Sequence, residues 1–204
     1  MADILLLYNL TPTAAEPWLA AGHNVTSVDL QHPPGTRREG HYTTVGADVP
    51  AWINGNYGGW HFALSFTPCT DLAVSGARWF ARKREANPQF QQEAVDLARV
   101  VEQLNCPSIT ENPVSMLWTL WKPCTGYVHP WQFTEYCADD NYTKKTGLLC
   151  LNGARMPAPA VDESLGPPDD RIHKAAPGPD RANFRSATPR GLSLAIYLAN
   201  KGLV

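Results

Sequence analysis

Apolar residues near the start of the chain form strand-sized runs separated by a short amphipathic stretch. Ile4 to Tyr8 form a continuous apolar run, which is typical of a buried parallel strand. A short helix is predicted from Thr13, and Asn24 to Asp29 are predicted to form a second strand that ends on an acid. This order of strand, helix, strand and acid is the opening of a nucleotide-binding βαβ unit.

The same alternation of strands and helices continues along the chain. Residues 31–46 carry two prolines and three glycines and are predicted to be a surface loop. Apolar residues at helical spacing predict an amphipathic helix over residues 90–104. Short strands are predicted at residues 47–49, 60–66, 106–110 and 146–151, and a closing helix follows Pro189. The alternation predicts an α/β fold with a mostly parallel sheet.

Composition limits the class of protein. The 204 residues, of which 44% are hydrophobic and 18% charged, are expected to form one domain, residues 1–204, with one sizeable core. A proline-rich insert is predicted at about 152–183. The net charge of -2 excludes a polycation, so any contact with a nucleic-acid backbone must come from local basic patches.

Cysteine usage and hydropathy predict the compartment. The five cysteines form no CxxC pair, which favours a reduced, cytoplasmic protein. No apolar stretch approaches the roughly 18 residues that a membrane helix needs, so no membrane partner is expected. The apolar run at the amino terminus has no basic leader, and no signal peptide is predicted.

Three chemically capable residues follow predicted strands. They are Asp29, Cys69 and Glu111. Ligands of parallel sheets bind at the carboxyl ends of the strands. These three side chains are therefore expected to lie at one edge of the sheet.

Two motifs resemble those of a known family. Phe66-Thr67-Pro68-Cys69-Thr70 resembles the proline-cysteine nucleophile loop of the cytosine-5 methyltransferases, and Glu111-Asn112-Pro113-Val114 resembles their Glu-Asn-Val element. The stretch from Pro68 to Phe80 is closer still to small methyltransferase-like proteins encoded by bacteriophages, which lack a large target-recognition domain. Together with matching segments in the same order, the resemblance spans nearly the whole chain.

The resemblance implies a Rossmann-like class I methyltransferase fold and the cofactor S-adenosyl-L-methionine. Cys69 would be the nucleophile and Glu111 its carboxylate partner, with Lys144 and Lys145 in the position of a basic element. The implied cofactor contacts are the first loop, the ribose-binding acid, the acid near the adenine, the nucleophile loop and the closing motif, which correspond here to Tyr8, Asn9, Leu10, Thr11, Asp29, Asp48, Thr67, Pro68 and Ser186.

Methylation of cytosine at carbon 5 requires this pair of residue types. Carbon 5 is a poor nucleophile until a thiolate adds to carbon 6 and converts the ring to an enamine, which can then attack an electrophilic methyl group. A carboxylic acid near ring nitrogen 3 stabilises the adduct. The thiol needs a lowered pKa, and we expect a helix after Cys69, together with Lys144 or Lys145, to provide it.

Each candidate also has a structural interpretation. Buried cysteines are usually small hydrophobes, Glu111 could cap a helix or form a salt bridge, and Asp29 could merely end a strand. The spacing of Cys124, His129 and Cys137 matches no familiar zinc pattern, so no metal is predicted. The aromatic candidates for base stacking, equally suited to packing, are Trp118, Trp121 and Trp131. The basic run Ala81-Arg82-Lys83-Arg84 is interpreted either as a solvated surface or as a contact to phosphate.

Two departures from the family pattern bear on cofactor and substrate. The first loop, Tyr8 to Thr13, contains no glycine, although close backbone approach to a cofactor favours glycine. Family members that act on specific DNA sites carry a large target-recognition region, and this chain has only the proline-rich insert at that position. The predicted substrates are therefore DNA with loose specificity, single-stranded DNA or a cytosine nucleotide. The alternatives are a pyrimidine-modifying enzyme with another one-carbon donor, or a retired fold that binds nucleotide, nucleic acid or a host protein.

Overall fold

A seven-stranded mixed sheet organises the chain. The computed structural model describes residues 1–176, 178 and 181–204, and of residues 182 and 183 the backbone only. The strands are β1 (Asp3–Leu7), β2 (Asn24–Glu39), β3 (Tyr42–Gly46), β4 (Phe62–Ser65), β5 (Ser108–Pro113), β6 (Gly126–Val128) and β7 (Thr146–Leu151).

The strand order is β3-β2-β1-β4-β5-β7-β6. β1 runs parallel to β2 and β4, and β4 runs parallel to β5. β7 is antiparallel to both β5 and β6. The prediction of an α/β fold with a mostly parallel sheet is confirmed, and the arrangement is compatible with a Rossmann-like fold.

Helices cover both faces of the sheet. The α-helices are α1 (Glu16–Ala20), α2 (Val49–Ile53), α3 (Phe80–Ala86), α4 (Phe90–Arg99), α5 (Leu117–Leu120), α6 (Arg171–Lys174), α7 (Arg181–Ser186) and α8 (Arg190–Asn200). Within the part of the chain that the structure describes, 3-10 helices lie at Pro12–Ala14, Val74–Trp79, Val100–Gln103, Pro130–Phe133, Ala138–Asp140 and Lys201–Leu203. None of the helices in the described ranges combines the length and the apolarity that crossing a membrane requires.

Alternate residues of β1 supply two separate cores. Ile4 and Leu6 pack with Trp18, Phe62 and residues of α8 on one face. Leu5 and Leu7 pack on the other face with residues of α2, β4 and the 3-10 helix that follows α4. Because strand side chains alternate between faces, burial of both faces requires the unbroken apolar run seen in the sequence.

The predicted surface loop at residues 31–46 is wrong, because most of it is β-structure. Val25 to Asp29 pair with β3 in parallel, and residues 34–39 then pair with β3 in the opposite direction, with Glu39 opposite Tyr42. Gly40, with φ of +59°, forms the turn of this hairpin. Gly46 packs so tightly that a Cβ there would overlap the carbonyl oxygens of His32 and Pro33.

Two further boundaries differ from the prediction. Residues 47–49 do not form a strand, because Asp48 caps the amino terminus of α2 and accepts from the Ala51 N–H. β5 extends to Pro113, so Glu111 lies within the strand rather than after it. The register of the antiparallel partner β7, with Pro113 opposite Thr146, explains this extension.

Candidate active site

The nucleophile loop leaves β4 at the carboxyl edge of the sheet. Cys69 lies four residues after the end of β4 and is partly buried. Its carbonyl oxygen accepts from the backbone N–H groups of Leu72, at 3.0 Å, and Ala73, at 2.8 Å. These two bonds close a compact turn that fixes the position of the thiol.

The neighbouring strand β5 carries the carboxylate candidate. Ser65 at the end of β4 pairs with Thr110, one residue before Glu111. Asn112 is fully buried, and its Nδ2–H donates to the Thr67 carbonyl oxygen at 2.9 Å. The Glu-Asn dipeptide therefore places a carboxylate on β5 and fastens β5 to the loop that holds Cys69.

Glu111 lies close enough to Cys69 to affect the ionisation of the thiol. Burial and then the Glu111 charge raise the pKa of the Cys69 thiol, while Lys144 and Arg185 act in the opposite direction. Burial also raises the pKa of Glu111, against the effects of Lys144 and the Thr146 hydroxyl. The structure thus brings a thiol, a carboxyl group and two cations into one site.

The two lysines of the predicted basic element have different surroundings. Lys144 is partly buried, and its Nζ donates to the Ala187 carbonyl oxygen at 2.9 Å. Burial lowers the pKa of Lys144, and the charges of Glu111 and Cys69 oppose that effect. Lys145 is exposed, with its Nζ 4.6 Å from the ring centroid of Tyr127. Only Lys144 therefore joins the cysteine and the glutamate.

The helix expected to lower the pKa of Cys69 does not begin beside it. The first helical residue is Val74, five positions after Cys69, and that helix is a 3-10 helix. The following α3 is tied to the loop by Lys83, whose Nζ donates to the Thr70 carbonyl at 3.0 Å and to the Asp71 carboxylate at 2.6 Å. The charges that favour the thiolate are instead those of Lys144 and Arg185.

Sequence reasoning did not single out Arg185 as a site residue. Arg185 lies on α7, directly before Ser186 in the segment that resembles the closing cofactor motif. Its side-chain Nε is buried and has no hydrogen-bond acceptor among the described residues. The signal in the sequence that could have identified Arg185 is its position next to Ser186, a residue of that motif. Ser186 itself is exposed.

The first predicted cofactor loop forms a sharp turn without glycine. Tyr8 takes a φ of +56°, in the left-handed region. Its Oη donates to the Leu97 carbonyl of α4 at 2.9 Å, and burial, followed by the nearby Asp48 charge, raises its pKa. The large side chain of Tyr8 anchors the turn against α4, so a non-glycine residue is held in this conformation.

Asn9 turns its side chain into the protein. It is 4% exposed, and its Nδ2 donates to the Ser27 Oγ and to the Thr11 carbonyl, each at 2.8 Å. The His32 ring bonds to the Asn9 carbonyl at 3.0 Å. The outer side of the loop is therefore formed by Leu10 and Thr11, which are both exposed.

Asp29 and Asp48, the two candidate cofactor-binding acids, lie at the carboxyl edge of the sheet, where exposed apolar residues also occur. Asp29 is 9% exposed, and its Oδ1 accepts from the Gln31 N–H at 2.8 Å. Asp48 is exposed and caps α2. Leu30, which sequence reasoning also did not select, is 69% exposed directly after Asp29, and Pro68 is exposed as well. This edge presents carboxylates beside apolar side chains.

The other candidates have structural roles. Trp118 donates from its Nε1 to the Pro113 carbonyl at 2.9 Å and packs closely over Gly147. Trp121 donates to Glu102, and Trp131 packs near the His129 ring. Within residues 1–176, 178 and 181–204, no group of three or more His, Cys, Asp or Glu side chains is arranged to hold a metal ion.

The described part of the proline-rich insert folds back along the body of the protein. Ala160 N–H donates to the Gln132 carbonyl at 2.7 Å, and Asp162 N–H donates to the Thr134 Oγ1 at 3.0 Å. Arg155 N–H donates to the Asn200 Oδ1 at 2.8 Å. Residues 155–162 are therefore held against the 3-10 helix Pro130–Phe133, the residue that follows it and the end of α8.

Comparison with known proteins does not assign a family to this site. No family model matches the sequence, and no curated protein matches it at a significant level.

Proposed function

We propose that this protein is an S-adenosyl-L-methionine-dependent enzyme that methylates carbon 5 of cytosine, in DNA or in a deoxycytidine nucleotide, through a covalent Cys69 adduct. The observation that carries the proposal is the placement of Cys69, on the loop that follows β4, beside Glu111 on the neighbouring parallel strand β5, with Lys144 acting electrostatically on both. A thiol and a protonatable carboxyl group facing one pyrimidine are the two groups that this chemistry needs.

The sheet topology supports a class I methyltransferase fold. The order of the strands departs from the doubly wound order 3-2-1-4-5-6 by one antiparallel strand, β7, inserted between β5 and β6. The reversed strand delivers Lys144, which precedes β7, to the edge where β5 presents Glu111.

The residues of the site divide the chemistry between them. The Cys69 thiolate forms a bond to carbon 6 of the ring. Burial and the Glu111 charge raise the pKa of the Cys69 thiol, and the charges of Lys144 and Arg185 act against that rise and favour the thiolate. Burial also raises the pKa of Glu111, which favours the protonated carboxyl group that can donate to ring nitrogen 3. Lys144, held by the Ala187 carbonyl, acts against that rise.

The cofactor edge of the site fits an adenosine-containing ligand. Asn9 directs its side chain inward, so the absence of glycine does not place a side chain of that residue over the loop. Leu10, Leu30 and Pro68 offer exposed apolar contacts near Asp29 and Asp48. The residues that would hold the cofactor are Tyr8, Asn9, Leu10, Thr11, Asp29, Asp48, Thr67, Pro68 and Ser186. When bound, the cofactor supplies an electrophilic methyl group.

Transfer of a labelled methyl group tests the proposal. The protein is incubated with labelled S-adenosyl-L-methionine and with dCMP, a single-stranded cytosine oligonucleotide or duplex DNA. Label should reach at least one of these substrates, and Cys69→Ser and Glu111→Gln should abolish or strongly reduce the transfer. The partly buried Cys137, which lies beyond the nucleophile loop, provides the matched control Cys137→Ser. Transfer that is the same in Cys69→Ser and in the parent protein would refute the mechanism.

The first loop favours one alternative, in which the same cysteine chemistry uses a different one-carbon donor. Tyr8 and Asn9 replace the small residues of a glycine-rich loop, and both have partly or fully buried side chains. In that case calorimetry detects no S-adenosyl-L-methionine binding, while mass spectrometry of cellular nucleosides detects a modified pyrimidine that is lost with Cys69→Ser. Binding of nucleotide without any such product would instead indicate a retired fold.

A further inference from the structure

The position of Arg185 is not explained by packing alone. α7 ends one residue before Ala187, whose carbonyl oxygen holds the Lys144 Nζ at 2.9 Å. The Nε–H of Arg185 is buried and lacks an acceptor among the described residues. A buried donor without a partner costs free energy, which a ligand with acceptor oxygens would recover.

The two cations of the site lack a direct carboxylate partner among the described residues. Lys144 and Arg185 both act on Cys69, and the charge of Glu111 acts on Cys69 and on Lys144. Among the described residues, however, no carboxylate forms an ion pair with Lys144 or Arg185. Asp140, the next acid near Lys144, is buried and accepts from the Gly191 N–H at 2.7 Å at the start of α8. An anion in this site can therefore pair directly with both cations.

We infer, on the basis of the proposed function, that Arg185 and Lys144 bind the phosphate of a cytosine nucleotide whose base lies against Cys69. The cytosine ring is neutral, so the phosphate is the part of the substrate that can neutralise two cations. The planar guanidinium group presents paired N–H donors that match phosphate oxygens, and the lysine adds a point charge. The site consequently selects nucleotides over the free nucleoside.

The same phosphate chemistry has two sources. One is the monoester of free dCMP, and the other is a backbone diester in a DNA strand. Both sources are tested against a ligand that lacks phosphate.

Calorimetry on the Cys69→Ser protein separates binding from turnover. The ligands are deoxycytidine, dCMP and the trinucleotide d(TpCpT). Charge-assisted hydrogen bonds contribute about 1.5–3 kcal/mol, so dCMP or the trinucleotide should bind roughly 10- to 100-fold more tightly than deoxycytidine. Tighter binding of the trinucleotide identifies a strand as the source of the phosphate, and tighter binding of dCMP identifies the mononucleotide.

Arg185→Gln, made in the same Cys69→Ser protein, should remove most of that preference while leaving the affinity for deoxycytidine unchanged. Arg185→Lys should keep part of the preference for phosphate, because lysine keeps the positive charge but lacks the paired N–H donors of the guanidinium group. The matched control is Arg181→Gln, one turn earlier on α7, where the arginine Nε donates to the Ala175 carbonyl at 2.9 Å. It should behave as the parent protein does.

Two results would overturn the inference while leaving the proposed function intact. One is equal affinity of the Cys69→Ser protein, with Arg185 intact, for deoxycytidine and for the phosphorylated ligands. The other is a loss of affinity for all three ligands in Arg185→Gln, which would indicate a structural role for the arginine. Failure of every cytosine ligand to bind would overturn the proposed function as well.

Discussion

Asn112 on β5 donates its Nδ2–H to the carbonyl oxygen of Thr67, two residues before Cys69, at 2.9 Å. Asn112 is fully buried, and Thr67 is 3% exposed. This one bond joins the strand that carries Glu111 to the loop that carries the thiol. It gives a physical reason for an asparagine directly after the glutamate, because a side chain without an amide donor at that position would leave the buried Thr67 carbonyl oxygen without this partner.

Asn112→Ala should therefore destabilise the protein and impair the proposed chemistry together. Loss of a buried hydrogen bond leaves the Thr67 carbonyl without its donor, and we expect the free energy of unfolding to fall by about 1–3 kcal/mol. Denaturant unfolding measures the loss, and methyl transfer by the folded fraction should also fall. The control is Asn56→Ala, since the Asn56 side chain bonds to the Trp52 carbonyl at an exposed site. An Asn112→Ala protein with parental stability and activity would contradict this role.

Reactivity of the Cys69 thiol should respond to its charged neighbours in opposite directions. Because the Glu111 charge raises the pKa of Cys69, Glu111→Gln should lower that pKa. Because the Lys144 charge lowers it, Lys144→Met should raise it. The rate of Cys69 alkylation as a function of pH, measured by peptide mass spectrometry, gives the pKa in each variant. Alkylation of Cys137, a partly buried thiol outside the site, serves as the internal reference.

Shifts of Cys69 in the same direction in both variants would mean that altered burial, rather than charge, controls its ionisation. A shift in neither variant would mean that Glu111 and Lys144 are too distant to act on the thiol.

Period and residue type in the sequence predicted the central strands well, since β1 and β7 depend on runs of apolar residues that only a sheet buried on both faces can accommodate. The hairpin that residues 34–39 form with β3 was not predicted. Its prolines and glycines resemble a loop, and the pairing with β3 depends on tertiary contacts such as that of Gly46 beneath His32 and Pro33.

The candidate site shows the same division between local and long-range information. The motifs around Cys69 and Glu111 identified the two groups, because each follows or ends a recognisable strand. Lys144 and Lys145 are adjacent in the sequence, and only the structure shows which of them enters the site. The Lys144 side chain reaches the Ala187 carbonyl, whereas the Lys145 side chain lies over the Tyr127 ring. Arg185 reaches the site from a segment about 115 residues after Cys69, a juxtaposition that spacing along the chain does not reveal.

Leu30 should contribute to cofactor binding without contributing to stability. It is 69% exposed beside Asp29, so Leu30→Ser should leave the unfolding midpoint unchanged. If an adenine ring covers part of this side chain, the change should remove about 1 kcal/mol of binding free energy, or roughly a fivefold loss of affinity for S-adenosyl-L-methionine. Calorimetry measures the affinity. The control Tyr57→Ser removes another exposed apolar side chain, 56% exposed, in the segment between α2 and β4.

Affinity for the cofactor that is the same in Leu30→Ser as in the parent protein would place the ligand elsewhere. An equal loss in Tyr57→Ser would indicate a general surface effect.

The basic segment after the nucleophile loop should contact a nucleic-acid strand. The 3-10 helix at Val74–Trp79 and α3 contain no buried residue. Arg82 and Arg84 are exposed there, and Lys83 ties α3 to the Cys69 loop. We expect the double variant Arg82→Ala/Arg84→Ala to bind a single-stranded cytosine oligonucleotide more weakly, because two phosphate contacts are lost. The slope of log K against log salt should become shallower by about 1.4.

The same variant should bind dCMP as tightly as the parent protein, since the single phosphate of dCMP is the one assigned to Arg185 and Lys144. Fluorescence anisotropy over a range of salt concentrations measures the slope, and Arg37→Ala/Arg38→Ala, on the β2 hairpin at the far edge of the sheet, controls for net charge. An equal change in both double variants would show that bulk charge alone is responsible. An unchanged slope in the Arg82/Arg84 variant would exclude this segment from the path of a strand and would favour a free nucleotide as the substrate.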